Sequence, residues 1–137
     1  MFQAKKSTAK TPWQEKRTEM QNKIIIEGLR LHAFHGVMAQ ERKVGADFII
    51  HAEIDTDFSD AMKHDDLSGT ISYADLFQTI KREMSIPSKL VEHAAGRIAQ
   101  VILSEYAAAK SVKLKLTKVN PPMGAECQGA GVEIVLP

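Results

Sequence analysis

The sequence predicts a single α+β domain in which a four-stranded antiparallel sheet carries two helices on one face. Two segments of alternating apolar and polar residues come first, two segments with helical periodicity follow, and two more alternating segments close the chain. The predicted order is therefore β-β-α-α-β-β, and strands grouped apart from helices are typical of α+β domains. With 137 residues, the chain can build one hydrophobic core but not two.

The first two strands are predicted from apolar alternation with a period of two. Residues 24–35 begin with Ile24-Ile25-Ile26 and then alternate until Gly36. Residues 48–57 place four apolar side chains on one face: Phe48, Ile50, Ala52 and Ile54. We expect the two strands to pair as an antiparallel hairpin with a long polar loop between them.

The two helices are predicted from caps and apolar stripes. Ser72, with Asp75 three residues later, resembles a capping box that starts a helix over about residues 73–84, and Ile86-Pro87 ends it. Ser88 is predicted to cap a second helix. Its apolar residues form two adjacent stripes, wide enough together to face a core: Leu90, Ala94, Ile98, Ile102 and Val91, Ala95, Ala99, Leu103.

The last two strands are predicted over residues 112–118 and 132–136, with a turn-rich loop from Asn120 between them. A four-stranded sheet has two open edges, and long open edges invite pairing with another chain. We therefore expect copies of this chain to associate through their sheets.

Composition and charge exclude several functional classes. No apolar run approaches the roughly 20 residues of a membrane-spanning helix, and the N-terminus shows no signal-peptide apolar region. Cys127 is the single cysteine, which fits a reducing compartment, so we expect a cytoplasmic protein. The net charge of the whole chain is +1. Residues 1–23 contain six basic and two acidic side chains, a net charge of +4, so the remaining residues carry −3.

The basic segment is expected to lie outside the domain. We predict that residues 1–22 are a flexible extension, or a stretch before an alternative start at Met20, and that residues 23–137 form the domain. Basic segments can also contact nucleic acid or anionic lipids. The remaining chain is acidic and has no strip of basic and aromatic residues, so we expect neither a nucleic-acid nor a membrane partner.

Familiar catalytic and metal-binding motifs are missing from the sequence. It contains no zinc spacing, no Gly-x-Ser-x-Gly, and neither a Walker nor a Rossmann glycine pattern. His35 and His51 could meet across the predicted hairpin, but two imidazoles without a third ligand make a weak metal site. We therefore predict no metal and no cofactor.

Three local features remain as candidates for function. Glu41 lies with Arg42 in the loop between the first two strands, and Glu92 lies in the first turn of an apolar helix. The helix dipole favours a carboxylate at that position whether or not it has a function. Lys118 ends a strand just before a proline-rich loop, where a side chain can project into a cleft, although exposed lysines at strand ends are common.

Taken together, these features resemble the dihydroneopterin aldolase family over residues 24–136. Each matching motif is weak alone, but eight of them in the expected order and spacing are specific: Gly28-Leu29-Arg30, His35-Gly36-Val37, Glu41-Arg42 with Gly45, Asp65-Asp66-Leu67, Ile71-Ser72-Tyr73-Ala74, Leu90-Val91-Glu92, Leu116-Thr117-Lys118 and Gly131-Val132-Glu133. The resemblance implies the tunnelling fold, in which four subunits form a ring, rings usually pair into octamers, and active sites lie between subunits.

The reaction implied by the resemblance is a retro-aldol cleavage of 7,8-dihydroneopterin into 6-hydroxymethyl-7,8-dihydropterin and glycolaldehyde. Aldolases generally recruit a metal ion or a lysine Schiff base as an electron sink. Here the C=N bond of the substrate ring would take the electrons as an enamine. The protein would have to orient the ring, remove a hydroxyl proton and return a proton to carbon.

The resemblance also implies roles for five residues. Glu92 would bind the amino-pyrimidine edge of the pterin through two parallel hydrogen bonds, and the backbone of Val91 would add a contact. Lys118 would act as general acid and base through the side-chain hydroxyl and an ordered water. Tyr73, from a neighbouring subunit, would lie against the ring and assist proton transfer. Glu41 would hold the hydroxylated side chain together with Lys118.

Two departures from the family pattern leave alternatives open. Many members have Lys-Pro after the catalytic lysine and a Pro-Gly-x-Phe loop, whereas this chain has Lys118-Val119-Asn120 and Gly124-Ala125-Glu126-Cys127. The alternatives are a dihydroneopterin triphosphate epimerase on the same scaffold and a non-catalytic pterin-binding protein. A triphosphate would call for added cations, which the loop 124–131 does not offer.

Overall fold

The computed structural model describes residues 21–137, which form an antiparallel four-stranded sheet with two long helices packed on one face. The strands are β1 (Lys23–Ala33), β2 (Ala46–Asp55), β3 (Ser111–Val119) and β4 (Gly129–Leu136), and they lie in this order across the sheet. The predicted α+β class and antiparallel sheet are confirmed. The predicted extension falls outside the described residues, except for its last two positions.

Four helices are present among the described residues, two more than the sequence predicted. They are α1 (Ala39–Val44), α2 (Ser59–His64), α3 (Tyr73–Met84) and α4 (Val91–Glu105), and a 3-10 turn spans Leu67–Gly69. The cap predicted for α3 is confirmed, because the Asp75 backbone N–H donates to Ser72 Oγ at 3.3 Å. No helix in residues 21–137 is long and apolar enough to cross a membrane.

The core lies between the sheet and the two long helices. The even-numbered residues 48–54 of β2 and 112–116 of β3 are fully buried, as the alternation predicted, and they form one core cluster with apolar residues of α3 and α4. Burying each large apolar side chain contributes roughly 1.5–3 kcal/mol. The alternation therefore decides which face of the sheet the helices cover. The fully buried core residues include Phe48, Ile50, Ile54, Leu76, Ile80, Ile98, Ile102, Leu114 and Leu116.

The same alternation places Lys118 on the covered face. It continues the row of Leu114 and Leu116 at the end of β3, where it pairs in register with Phe48 of β2. Only 7% of its surface is exposed, so it is a buried lysine and not an ordinary lysine at a strand end.

The opposite face of the sheet carries ion pairs. His51 Nε2 lies 2.8 Å from Glu53 Oε2, and Lys23 Nζ donates to Glu53 Oε1 at 2.9 Å. These two hydrogen bonds, from His51 and then Lys23, lower the pKa of Glu53 to about 2. His35, by contrast, packs against Phe48 on the covered face. The suggestion that His35 and His51 meet across the hairpin is therefore wrong.

Several predicted boundaries also need correction. Residues 39–44, expected to be loop, form α1 because the Glu41 side chain accepts a hydrogen bond from the Met38 N–H at 3.2 Å and so caps the helix from within its first turn. The N-cap of α4 is Leu90 and not Ser88, whose hydroxyl instead contacts His93 and Arg97. β4 starts at Gly129 because a glycine fits there against β3, where a Cβ would lie 2.5 Å from Thr117 Cγ2.

Candidate active site

A buried ion pair forms the centre of the candidate site. Lys118 Nζ donates to Glu41 Oε2 at 2.5 Å, and the exposed fractions of the two side chains are 9% and 16%. The hydrogen bond from Lys118 is the main cause that lowers the pKa of Glu41 below its ordinary value of 4.5. Glu41 is therefore a carboxylate at neutral pH, and it is placed to exchange protons with a ligand that also reaches Lys118.

Glu41 is held in this position by its own chain segment. Its second oxygen, Oε1, accepts from the Met38 N–H, and its side chain packs over Gly36 so closely that a Cβ there would lie 2.6 Å from Glu41 Cδ. Arg42 Nη1 donates to the carbonyls of Gly36 and Val37 at 2.7 Å each. The Met38 N–H and Gly36 thus contact the Glu41 side chain directly, and Arg42 ties α1 to the loop after β1.

A cavity of about 340 Å³ opens beside the pair. We call it the Lys118 cavity. Val91 and Glu92, the first residues of α4, form its opposite wall, with Glu92 exposed and Val91 half-buried. The structure therefore brings four of the five predicted site residues together: Glu41, Val91, Glu92 and Lys118. The other walls are mostly apolar and come from Gly36, Met38, Leu90, Pro121 and Met123.

The fifth predicted residue lies elsewhere. Tyr73, at the start of α3, is 71% exposed and lines a separate cavity of about 490 Å³ with Ile24, Phe58, Met62 and Leu67. We call it the Tyr73 cavity. It shares no lining residue with the Lys118 cavity. Within one chain, the predicted site is therefore divided between two surfaces.

Sequence reasoning missed the residues that support the Lys118 cavity from behind. His35 is 1% exposed, and its Nδ1 accepts a hydrogen bond from the Ser88 N–H at 3.0 Å. Arg97 Nη2 donates to the carbonyls of Glu83 and Ile86, at 2.9 and 2.8 Å. The signal available for His35 was its place directly before Gly36 in the His-Gly-Val motif, but nothing in the spacing showed that Ser88 would be its partner.

The site residues do not form a cluster suited to a metal. Among residues 21–137, no three His, Cys, Asp or Glu side chains are grouped so that they could hold a metal ion. A depression of about 750 Å³ on the other face of the sheet is larger than either cavity, but none of the predicted site residues lines it.

The fold and the site agree with comparisons to known proteins. The family described as dihydroneopterin aldolase matches residues 24–135. The chain belongs to the dihydroneopterin aldolase family. It is similar to the dihydroneopterin aldolase of Staphylococcus epidermidis, with 36% identity over 117 residues that cover 85% of this chain and 97% of the relative. Its similarity to the Bacillus subtilis enzyme is 33% over 114 residues, which cover 82% and 95% of the two chains.

A solved structure shows the same architecture. The Escherichia coli dihydroneopterin aldolase, crystallised in complex with neopterin, matches with a TM-score of 0.78 and 27% identity over 85% of this chain and 99% of that chain. The resemblance inferred from the sequence is therefore confirmed, and so is the tunnelling fold. Family membership makes the chain an enzyme of the aldolase class that acts in folate biosynthesis.

Proposed function

We propose that this chain cleaves 7,8-dihydroneopterin into 6-hydroxymethyl-7,8-dihydropterin and glycolaldehyde. The observation that carries the proposal is the Lys118 cavity. One wall holds a buried lysine bonded to a carboxylate, and the other holds an exposed carboxylate at the start of a helix. A planar heterocycle with an amino-pyrimidine edge and a hydroxylated side chain can satisfy both walls at once.

Glu92 is proposed to orient the pterin. The two oxygens of a carboxylate match two parallel N–H donors, and a charge-assisted pair of this kind is stronger than neutral hydrogen bonds. The apolar walls from Leu90 and Met123 suit the flat faces of the ring. The backbone of Val91 lies beside Glu92 and adds a polar contact on the same edge.

The Lys118–Glu41 pair is proposed to handle the protons. The substrate hydroxyl loses its proton to the pair as the neighbouring carbon–carbon bond breaks and the hydroxyl carbon becomes the aldehyde of glycolaldehyde. The electron pair of the broken bond moves into the ring C=N bond and forms an enamine, which a proton then quenches at carbon. Because the substrate supplies the electron sink, we propose that neither a metal ion nor a Schiff base on Lys118 is required.

Tyr73 is proposed to serve the Lys118 cavity of a neighbouring subunit. Its phenolic hydroxyl is a hydrogen-bond donor and can give a proton to the enamine carbon. The division between the two cavities supports a homo-oligomer with active sites between subunits, and the open edges β1 and β4 are the strands that can join sheets into a ring. We also propose that the protein works in the cytoplasm.

The test is a product assay on the purified protein after treatment with EDTA. The protein is incubated with 7,8-dihydroneopterin, and the oxidised products are separated by chromatography with fluorescence detection. We expect 6-hydroxymethylpterin to form at a catalytic rate, and re-addition of glycolaldehyde to appear as an epimerised substrate peak. Binding without turnover would instead indicate a pterin-binding protein. Sodium borohydride added during turnover should not inactivate the enzyme, whereas a Schiff base would be trapped.

A further inference from the structure

His35 is a buried titratable residue that the proposed mechanism does not use. Its Nδ1 accepts a hydrogen bond from the Ser88 N–H at 3.0 Å. Because Nδ1 is an acceptor, the neutral ring carries its proton on Nε2, which is buried and has no hydrogen-bond partner among residues 21–137. The backbone of Met84 also acts on the ring and raises its pKa, against the larger effect of burial.

Ser88 is held by two adjacent residues at once. While its N–H donates to His35, its carbonyl accepts from the Gly36 N–H at 2.9 Å. We call these three residues, His35, Gly36 and Ser88, the Ser88 latch. The latch joins the end of β1 to the loop between α3 and α4, two segments that are far apart in the sequence.

On one side, the latch touches the proton-handling pair. Gly36 lies directly under the Glu41 side chain, and its carbonyl accepts from Arg42. The His35 ring packs edge-to-face on Phe48 with 5.2 Å between centroids, and Lys118 Nζ lies 5.6 Å from the centroid of that same Phe48 ring. A shift of His35 would therefore be felt by both Glu41 and Lys118.

On the other side, the latch fixes the segment that leads to Glu92. Ser88 lies three and four positions before Val91 and Glu92, directly before Lys89, where the lining of the Lys118 cavity resumes. Arg97 Nη1 donates to Ser88 Oγ at 2.8 Å and so holds the same residue from within α4. The latch accordingly joins Gly36, which lines the cavity beside Glu41, to the segment that leads into α4.

We propose that His35 is a positioning residue for the aldolase reaction, which sets the separation between the pterin-binding wall at Val91–Glu92 and the Lys118–Glu41 pair through its bond to Ser88. The inference rests on the proposed function of those residues. Catalysis depends on placing the reacting groups accurately, and a displacement of about 1 Å can lower the rate by about 100-fold.

The test compares His35→Leu with His35→Asn. Leucine fills similar space but leaves the buried Ser88 N–H without an acceptor, whereas the side-chain oxygen of asparagine can take the place of Nδ1. We expect kcat of the folded His35→Leu enzyme to fall by about 10- to 100-fold, with the Kd for neopterin changed by less than about threefold. His35→Asn should recover most of the loss in kcat. His64→Leu, an exposed histidine on α2, serves as the matched control.

The outcomes separate the inference from the proposed function. Wild-type enzyme that does not cleave 7,8-dihydroneopterin would overturn the proposed function, and this inference with it. An active wild type with normal kcat in His35→Leu, or with equal losses in the leucine and asparagine variants, would overturn the inference alone. Amide hydrogen exchange of residues 86–92, measured by mass spectrometry, should be faster in His35→Leu than in His35→Asn if the latch acts through Ser88.

Discussion

Glu41 and Lys118 are 77 positions apart in the sequence, yet the Glu41 carboxylate accepts a hydrogen bond from the lysine Nζ at 2.5 Å. The lysine faces the helix-covered side of the sheet, where its charge would be costly to bury without a partner. Glu41 supplies that partner while its other oxygen stays bonded to Met38. Each group therefore holds the other in place before any substrate arrives.

The first prediction concerns Lys118. Replacing it with alanine should lower kcat by about 100-fold or more, because the proton-handling group is lost. The Kd for neopterin should stay within a few fold, because the Glu92 wall is unchanged. Steady-state turnover and fluorescence titration measure the two quantities. The control is Lys115→Ala, on the exposed face of the same strand. A Lys118→Ala enzyme with near-normal turnover would remove Lys118 from the mechanism.

Glu92 should behave in the opposite way. Glu92→Gln keeps the shape of the side chain but removes its charge and one of its two acceptor oxygens. The charge-assisted pair of hydrogen bonds to the pterin is then lost, so the Kd for neopterin should rise by about 10- to 100-fold. The melting temperature should barely change because the side chain is exposed. Asp75→Asn removes a similar carboxylate from the first turn of α3 and controls for the helix dipole. Equal affinities of wild type and Glu92→Gln would contradict the proposed role.

The division of the site between two cavities predicts complementation. Tyr73→Phe and Lys118→Ala should each be nearly inactive as pure proteins. After unfolding and refolding as an equal mixture, about a quarter of the sites would combine both native residues if the variants assort at random between subunits. We expect a corresponding recovery of turnover. If Tyr73 and Lys118 served the same chain's site, the mixture would stay as inactive as its components.

Gly36 should be sensitive to a single methyl group. In Gly36→Ala the new Cβ would approach Glu41 Oε1 to 2.8 Å, so the carboxylate must move away from Lys118. We expect a loss of about 1–3 kcal/mol in the free energy of unfolding together with a lower kcat. Gly96→Ala is the matched control, because its Cβ would meet no atom within 4 Å in the middle of α4. That variant should gain up to about 1 kcal/mol in stability. Urea denaturation measures both changes.

The buried imidazole of His35 should make the fold sensitive to acid. Burial, and then the nearby charges of Arg97 and Lys118, lower the pKa of His35 from 6.5 to about 4. Between pH 4 and pH 6.5 the His35 side chain binds a proton in the unfolded chain but not in the folded chain. The contribution of His35 to the free energy of unfolding is therefore fully present above pH 6.5 and is lost as the pH drops toward 4. The loss amounts to at most about 3 kcal/mol. In His35→Asn the free energy of unfolding should change less over this range, and parallel curves for the two proteins would contradict the assignment.

Local patterns in the sequence predicted most of the fold. The alternation in β2 and β3, the stripes of α4 and the Ser72 cap of α3 each depend on neighbouring residues, and each is present in the structure. α1 was missed because its cap comes from the Glu41 side chain inside the helix and not from a polar residue before it. Ser88 was misplaced as a cap because its polar groups are taken by His35, Gly36 and Arg97, which no local pattern reveals.

The site was predictable only in part for the same reason. The sequence predicted that Lys118 ends a strand beside a cleft, but its partner Glu41 lies in a different segment and no spacing rule connects the two. The family motifs named Glu41, Tyr73, Val91, Glu92 and Lys118 together. They did not show that Tyr73 opens onto a separate cavity, because the placement of a residue depends on the packing of the whole domain.

The irregular segment after β3 has a consequence for protein engineering. Lys118 and Glu92 are carried by a strand and a long helix, whereas Pro121, Pro122 and Met123 form the remaining wall of the Lys118 cavity from a loop. The loop's ends are fixed where β3 stops and β4 begins, so its middle can be exchanged with little effect on the core. A library confined to residues 121–127 would therefore vary the shape of the ligand's surroundings at low risk to folding.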